Sequence, residues 1–218
     1  MREALRKEKR QAEVVSRSYV AAVRALTNAV EARDSYTGKH AERVAAYGLE
    51  LAQLIDPQLA ADPETEFGFL LHDVGKVAVP DAILHKPSAL NREEMGVMRK
   101  HPVTGFEIVS HIDFLEGNAQ RIVRYHHERW DGEGYPDGVK GRDIPLAARI
   151  FAVADTLDAI TTDRPYRKGA SIEDARREIS LGSATQFDPE AVDALMAVPD
   201  DILERIRTET VLTSTAAP

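Results

Sequence analysis

Five of the seven histidines lie in or at the ends of segments with helical spacing, and several stand next to another metal-binding residue type. His72-Asp73 and His126-His127 are adjacent pairs that each follow an apolar run. A carboxylate can bridge two metal ions, whereas a neutral imidazole binds one ion and donates its other N–H to a neighbour. A lone histidine on an apolar face is more often a hydrogen-bonded core residue. The two pairs together favour a site for divalent metal ions.

Two further histidines are expected to join these pairs. His40 shares a helical stripe with Val44 and Tyr47, so its ring should face the interior. His101 is expected to close a helix just before Pro102. With them, five imidazoles converge on helix ends and inward faces.

Asp155 is the most informative carboxylate, because the segment 150–157 around it is apolar on nearly every side. An unpaired carboxylate in a buried helix is costly, so Asp155 must be paired, protonated or bound to a cation. A structural salt bridge to Arg149 or Arg164 is the alternative to metal binding. Beside five histidines and Asp73, metal binding is favoured.

Composition limits the chemistry further. The chain has 218 residues, 43% of them apolar, and no cysteine, so any metal must be held by imidazole and carboxylate. A net charge of −8 argues against binding to DNA, and positive charge for an anionic ligand must be local. No apolar run reaches the roughly 20 residues of a membrane span, and no signal peptide is evident. These features predict a cytoplasmic protein with no membrane partner.

The elements that must position these residues begin with a long helix. Residues 1–33 contain neither Pro nor Gly and have small or apolar residues at heptad-like positions, which predicts one amphipathic helix. Two interpretations remain open. The helix packs on its own domain, or it is a signalling linker that forms a homodimer and follows an upstream sensory or receiver domain. Residues 34–207 are predicted to form one globular domain, and residues 208–218 a flexible tail.

The globular domain is predicted to be all-α, because helix start signals recur and no convincing alternating strand is found. The start signals are Asp62-Pro63, Asn91 with Glu94, Ser171 with Asp174, and Asp188-Pro189. Apolar residues recur at helical spacing in 41–55, 66–74, 92–100, 119–127 and 145–160. Residues 128–144 are expected to form an irregular loop.

Three segments resemble the motifs of one protein family. His72-Asp73-Val74-Gly75-Lys76 resembles the HDxGK signature of HD-domain phosphohydrolases, and residues 126–138, HHERWDGEGYPDG, look like the longer signature of the HD-GYP family. Residues 155–167 are similar to that family's downstream segment. The resemblance implies a bacterial cyclic di-GMP phosphodiesterase, built as an HD-domain helical bundle with additional C-terminal helices.

The resemblance also implies a set of site residues. The positions that match the family's metal ligands are His40, His72, Asp73, His101, His126, His127 and Asp155. Family members with a third metal site have a glutamate four residues before the first ligand histidine, where this chain has Tyr36. Two divalent ions, iron or manganese, are therefore expected.

The implied chemistry is hydrolysis of a phosphodiester by a hydroxide held between two cations, with Asp73 as the bridge. Lys76 would hold a nonbridging phosphate oxygen or assist the leaving group. Arg164 and Arg167 resemble the family's basic pair that grips substrate phosphate. Tyr135, in a glycine-rich turn, would stack on guanine or contact phosphate.

Three functions remain open from the sequence. The first is conversion of cyclic di-GMP to pGpG and onward to GMP, and the second is hydrolysis of a mixed cyclic dinucleotide such as cGAMP. The third is a catalytically silent module that binds a cyclic dinucleotide, or a protein partner, through the 132–138 loop. The complete set of ligand positions favours an enzyme, and His85 and His111 are expected to have no catalytic role.

Overall fold

The computed structural model describes residues 2–33, 39–163 and 168–212, and the fold of these residues is all-α, as predicted. The α-helices there are α1 Arg2–Arg33, α2 His40–Ile55, α3 Pro57–Ala61, α4 Pro63–Leu71, α5 Asp81–Leu84, α6 Arg92–Met98, α7 His101–Val109, α8 Asn118–Tyr125, α9 Leu146–Thr161, α10 Ile172–Leu181, α11 Pro189–Ala197 and α12 Asp200–Leu212. Short 3₁₀ helices span Val74–Ala78, Asp113–Leu115 and Gly141–Asp143. The irregular loop predicted for 128–144 is present.

The core lies between α2 and α9, which pack along each other, with α4 and α8 packed beside them. Tyr47 of α2 and Phe151 and Leu157 of α9 are fully buried. α10 packs on α9, while α11 and α12 cover α2. Burial of these apolar faces supplies most of the driving force for folding, because short isolated α-helices are only marginally stable in water.

The predicted helix starts are confirmed at all four positions. The side chains of Asp62, Asn91, Ser171 and Asp188 each accept a hydrogen bond from a backbone N–H in the first turn of the helix that follows. At Asn91 the bond is reciprocal, since Glu94 accepts from the Asn91 N–H at 2.8 Å. Such caps satisfy amides that have no partner inside the helix.

Two expected helix boundaries were wrong, and both concern site residues. The helix expected over 66–74 ends at Leu71, and the chain then turns into the 3₁₀ helix Val74–Ala78. His101 begins α7 instead of closing the preceding helix. The physical reason is a close backbone approach: a Cβ on Gly75 would lie 1.9 Å from the carbonyl oxygen of His101. This glycine lets the turn after His72 pack directly against the start of α7.

The long N-terminal helix is present, and its second half packs on the domain. Val23 and Val30 are buried, and the Thr27 hydroxyl donates to the Leu70 carbonyl at 3.2 Å. Earlier in α1, Val14 is 63% exposed and Val15 is 41% exposed. The interpretation that the helix packs on its own domain therefore holds for residues 23–33, and the dimer interpretation stays a prediction for the exposed first half. No helix in the described ranges is both long enough and apolar enough to span a membrane.

Candidate metal centre

The seven predicted ligand positions converge on one cluster, although they come from five different helices or their ends. His40 begins α2, and His72 and His126 follow the last residues of α4 and α8. Ligand atoms of Asp73, His101, His126 and His127 all lie within 4.8 Å of one another. The His72 ring lies 5.5 Å from the His40 ring and 5.3 Å from the His126 ring, centroid to centroid.

Asp73 occupies the middle of this cluster, and its two oxygens face different histidines. Oδ2 lies 3.1 Å from His72 Nε2, and Oδ1 lies 3.3 Å from His101 Nε2 and 4.0 Å from His126 Nε2. The charges of His72 and Lys76 outweigh the effect of burial and hold the pKa of Asp73 well below its usual range. The central carboxylate is therefore an anion with both oxygens directed at imidazoles.

Asp155 joins the cluster next to His40. The His40 Nε2 is 3.4 Å from Asp155 Oδ1. The expectation that Asp155 is deeply buried was wrong: its side chain is 34% exposed, because it faces the cavity beside the cluster. The proposed structural partner Arg149 instead forms a buried ion pair with Asp188.

Backbone hydrogen bonds fix the orientation of three rings. Nδ1 of His72, His101 and His126 lies 2.8, 2.9 and 2.9 Å from the carbonyl oxygen three residues earlier in the chain. A carbonyl oxygen only accepts, so each Nδ1 carries the proton and donates it. On a neutral ring the proton is then absent from Nε2, whose lone pair points into the cluster.

Burial keeps the rings of His101, His126 and His127 neutral. Desolvation lowers the pKa of His101 and lowers that of His126 well below its usual value. Burial also lowers the pKa of His127 to about 3. Neutral imidazole is the form that binds metal.

The donor set fits a cation. His101 Nε2 and His126 Nε2 lie 3.1 Å apart, and both atoms are unprotonated by the argument above. Two lone pairs at that distance repel each other, whereas a cation held by both nitrogens and by the nearby Asp73 anion removes the conflict. Nitrogen and carboxylate ligands without sulfur suit a divalent transition metal.

Two predicted substrate-binding residues border the cluster. Lys76 Nζ lies 2.8 Å from Asp73 Oδ2. The Tyr135 ring stacks on the His127 ring with centroids 4.7 Å apart. The Arg99 guanidinium lies over the Tyr135 ring, 5.1 Å from its centroid. Arg99 was missed by sequence reasoning, since nothing in its local pattern distinguishes it from a surface arginine.

Tyr36, Arg164 and Arg167 lie outside the described residues, so their predicted roles stay predictions. The side chain of His85 is 41% exposed. His111 is exposed just after α7, and its Nδ1 lies 2.6 Å from the carbonyl oxygen of Glu107 in that helix.

Sequence reasoning also missed the residue that holds the 132–138 loop. Glu128 is 4% exposed, and its Oε1 accepts hydrogen bonds from the backbone N–H groups of Asp137 at 2.7 Å and Gly138 at 3.0 Å. The Tyr135 N–H in turn donates to the His127 carbonyl at 3.2 Å. A buried glutamate at this place in the loop fixes the loop backbone next to the cluster.

A second missed residue is Asp158, one helical turn after Asp155. Its carboxylate contacts both His40 and Arg43. The available signal was spacing: Asp158 follows Asp155 by three residues in an apolar helix, and Arg43 follows His40 by three.

The cluster opens into a cavity of about 190 Å³. Its described lining includes His40, His72, Asp73, His127 and Asp155, together with Thr27, Val30 and Glu31 of α1. Pockets for whole drug-sized ligands usually measure about 300–1,000 Å³. The cavity therefore has room for ions and a reacting group, while the rest of a larger substrate must lie outside it.

Comparison with known proteins agrees with this arrangement. The HD domain family profile matches residues 24–191. A 3'3'-cGAMP-specific phosphodiesterase of Vibrio cholerae is 41% identical over 179 residues, which cover 82% of this chain and 34% of that protein. A cyclic di-GMP phosphodiesterase of Thermotoga maritima is 40% identical over 181 residues, which cover 82% of this chain and 49% of that protein. The chain thus spans about half the length, or less, of these curated relatives.

Solved structures share the fold. A cyclic GMP-AMP specific phosphodiesterase of V. cholerae (V-cGAP3) superposes with a TM-score of 0.65 at 19% identity, covering 90% of this chain and 53% of that one. Bd1817, an HDG"Y"P protein from Bdellovibrio bacteriovorus, gives 0.60 at 20% identity over 86% of this chain and 64% of its own. The chain belongs to the HD domain family. Within that family it is a member of the HD-GYP group, as its 72–76 and 126–138 motifs indicated.

Proposed function

We propose that this chain is a metal-dependent phosphodiesterase domain that linearises cyclic di-GMP to pGpG. One observation carries the proposal: the unprotonated Nε2 atoms of His101 and His126 lie 3.1 Å apart beside an ionised Asp73. Two unprotonated nitrogens held this close together beside a carboxylate suit a cation. Relatives at 40–41% identity that are phosphodiesterases of cyclic dinucleotides support the reaction class.

The residues that would hold metal are His40, His72, Asp73, His101, His126, His127 and Asp155. Two ions are proposed because Asp73 has His72 near one oxygen and His101 near the other, while Asp155 lies with His40. Tyr36, in place of a glutamate, argues against a third. Iron or manganese is the proposed metal, since imidazole and carboxylate ligands both suit these ions.

When bound, divalent ions stabilise developing charge on a phosphoryl group and lower the pKa of bound water. The chain's own residues orient the reaction around them. Asp73 remains ionised between the imidazoles, and Lys76 is held 2.8 Å from Asp73, at the cavity wall, where it can neutralise a phosphate oxygen. Lys76 and Arg99 supply the local positive charge that an overall charge of −8 requires for an anionic substrate.

The remaining substrate contacts lie around the cavity mouth. Tyr135 is proposed to contact the dinucleotide, with its ring set by stacking on His127. Arg164 and Arg167 are proposed to bind phosphate, on their sequence match alone. The exposed first half of α1 is proposed to form a homodimer or to join a sensory or receiver domain, and the 132–138 loop remains a proposed site for a protein partner.

A mixed cyclic dinucleotide is the second candidate substrate, because the 3'3'-cGAMP-specific relative is as similar to this chain as the cyclic di-GMP phosphodiesterase of Thermotoga maritima. The deciding assay uses protein reconstituted anaerobically with Fe(II) or Mn(II), incubated with each dinucleotide separately and analysed by chromatography. We expect pGpG from cyclic di-GMP, with no product from the His72→Ala Asp73→Ala variant. Faster cleavage of cGAMP would assign that substrate instead. Metal loading and dinucleotide binding without turnover would identify a silent receptor.

A further inference from the structure

His40 differs from the other imidazoles in how its ring is held. His72, His101 and His126 each donate Nδ1–H to a carbonyl three residues earlier, on the chain that leads into them. His40 begins α2, as His101 begins α7, but its Nδ1 contacts a side chain of another helix. Its orientation is set from across the fold.

The partner of the His40 ring is Asp158 of α9. His40 Nδ1 lies 2.8 Å from Asp158 Oδ2, and the opposite ring nitrogen, Nε2, lies 3.4 Å from Asp155 Oδ1. A carboxylate only accepts, so Nδ1 carries a proton and donates it to Asp158. Nε2 faces Asp155 and the cavity, where a cation can take the place of a second ring proton. The two aspartates, one helical turn apart on α9, therefore contact opposite edges of one imidazole.

Asp158 is itself fixed by a buried arginine. Arg43 Nε lies 2.5 Å from Asp158 Oδ1, and Arg43 Nη2 lies 3.0 Å from Oδ2. Asp158 is 2% exposed and Arg43 is 4% exposed. The Thr162 hydroxyl adds a hydrogen bond to Oδ1 at 3.2 Å. A two-point contact of this kind leaves the carboxylate little freedom to rotate.

We propose that Asp158 is a positioning residue that presents His40 Nε2 as a ligand for the metal ion on the Asp155 side. This inference rests on the proposed metal centre. Asp158 contacts neither metal nor substrate in this role. Asp158 acts through His40. Arg43 neutralises the charge of Asp158, so that this buried carboxylate can remain ionised between α2 and α9. Histidines that bind metal generally need such a hydrogen bond to fix the ring. Loss of the hydrogen-bond partner typically lowers metal affinity by about 10–100-fold.

The direct test is Asp158→Asn. The amide offers one acceptor oxygen where the carboxylate offers two, so His40 and Arg43 compete for it. Titration of metal-free protein with Mn(II) should show the affinity for one ion reduced by about 10–100-fold, with the other ion little changed. Selective ¹⁵N NMR of histidine in the metal-free protein should show His40 Nδ1 fully protonated in the parent chain and only partly protonated in the variant.

The matched control is Asp188→Asn. Asp188 is also a buried aspartate, 4% exposed, that pairs with an arginine from α9. It caps α11 and is absent from the described lining of the cavity. Its replacement should lower stability while leaving Mn(II) affinity and the protonation of His40 Nδ1 unchanged. Equal loss of metal in both variants would attribute the effect to general destabilisation and overturn the proposal.

A second variant guards against misfolding of the first. Arg43→Met with Asp158→Leu removes both charges, and replacing a buried ion pair by apolar residues of similar volume is often neutral or stabilising. The double variant should fold, and His40 should still lose its full Nδ1 protonation and its Mn(II) affinity. Parent-like metal affinity and Nδ1 protonation in either folded variant would refute the role of Asp158. A parent chain that binds no Mn(II) would instead refute the proposed function, and the NMR measurement would still test Asp158.

Discussion

At the scale of single residues, the cluster depends on groups that are not themselves predicted metal ligands. Glu128 is one of them: it bonds two backbone N–H groups of the loop that carries Tyr135. Its own pKa is raised by burial. The shape of the glycine-rich loop thus depends on a single buried side chain.

Replacing Glu128 by Ala should therefore destabilise the protein by roughly 1–3 kcal/mol, because the loop loses two hydrogen bonds to its backbone N–H groups. It should also lower turnover, since Tyr135 and His127 are held by the same loop. Thermal denaturation and the cyclic di-GMP assay measure the two effects. Glu133→Ala, at an exposed position of the same loop, is the control and should change neither. Similar stability of both variants would contradict this role of Glu128.

The buried histidines predict a definite pH dependence for the metal-free protein. Burial lowers the pKa of His126 well below its usual value and that of His127 to about 3, while both titrate near pH 6.5 in an unfolded chain. Between about pH 6.5 and 3 the unfolded chain therefore binds more protons. Stability falls as pH decreases through this window, by roughly 1.4 kcal/mol per pH unit for each such histidine.

Urea denaturation at pH 7, 6 and 5 tests this expectation. The midpoint should decrease with pH, and His127→Gln should have a shallower dependence because one titrating group is gone. A parent protein whose midpoint does not change over this range would show that these rings are protonated in the folded state.

At the scale of elements, α1 is joined to the segment that carries Lys76. Arg33, its last residue, donates to the carbonyls of Lys76, Val77 and Val79 at 3.2, 2.5 and 2.8 Å. It also forms an ion pair with Asp81 at 2.7 Å. The 3₁₀ helix Val74–Ala78 is thus held from outside by the N-terminal helix.

Arg33→Ala should loosen this 3₁₀ helix. We expect faster hydrogen exchange at the amides of residues 76–79 and a lower rate of turnover, with a loss of stability of about 1.5–3 kcal/mol for hydrogen bonds from a charged donor. Arg24→Ala is the matched control. Arg24 lies on the same helix, its side chain is 47% exposed, and it forms an ion pair with Glu42. Exchange rates that change equally in both variants would argue against a specific role for Arg33.

Helix types and starts were predictable from the sequence because caps and apolar spacing are local. The ends of the helices around His72 and His101 were not, because they depend on the contact of Gly75 with the His101 backbone, which joins residues far apart in the chain. Asp158 and Arg43 were missed for a related reason. A charged residue in a sequence looks the same whether it is exposed or paired across two helices.

At the scale of the whole molecule, metal binding and folding must be coupled. The seven candidate ligands come from α2, the ends of α4 and α8, the start of α7, and α9, so the set exists only in the folded chain. A ligand that binds only the folded state stabilises it by about 2.7 kcal/mol at a hundred times its dissociation constant.

Chelation of the metal-loaded protein should therefore lower its melting temperature, and added Mn(II) should restore it. Differential scanning calorimetry with and without chelator measures the shift. The His72→Ala Asp73→Ala variant should not respond to Mn(II). A parent protein with the same melting temperature in both conditions would contradict a metal site built from these five helices.

The continuity of α1 has a mechanical consequence. Its 32 residues contain neither Gly nor Pro, and at 1.5 Å per residue they form a rod about 48 Å long. Val14 and Val15 face solvent near its middle, while Thr27, Val30 and Glu31 line the cavity. A rotation or a shift of the exposed part of α1 is therefore transmitted along one continuous helix to the residues that line the cavity.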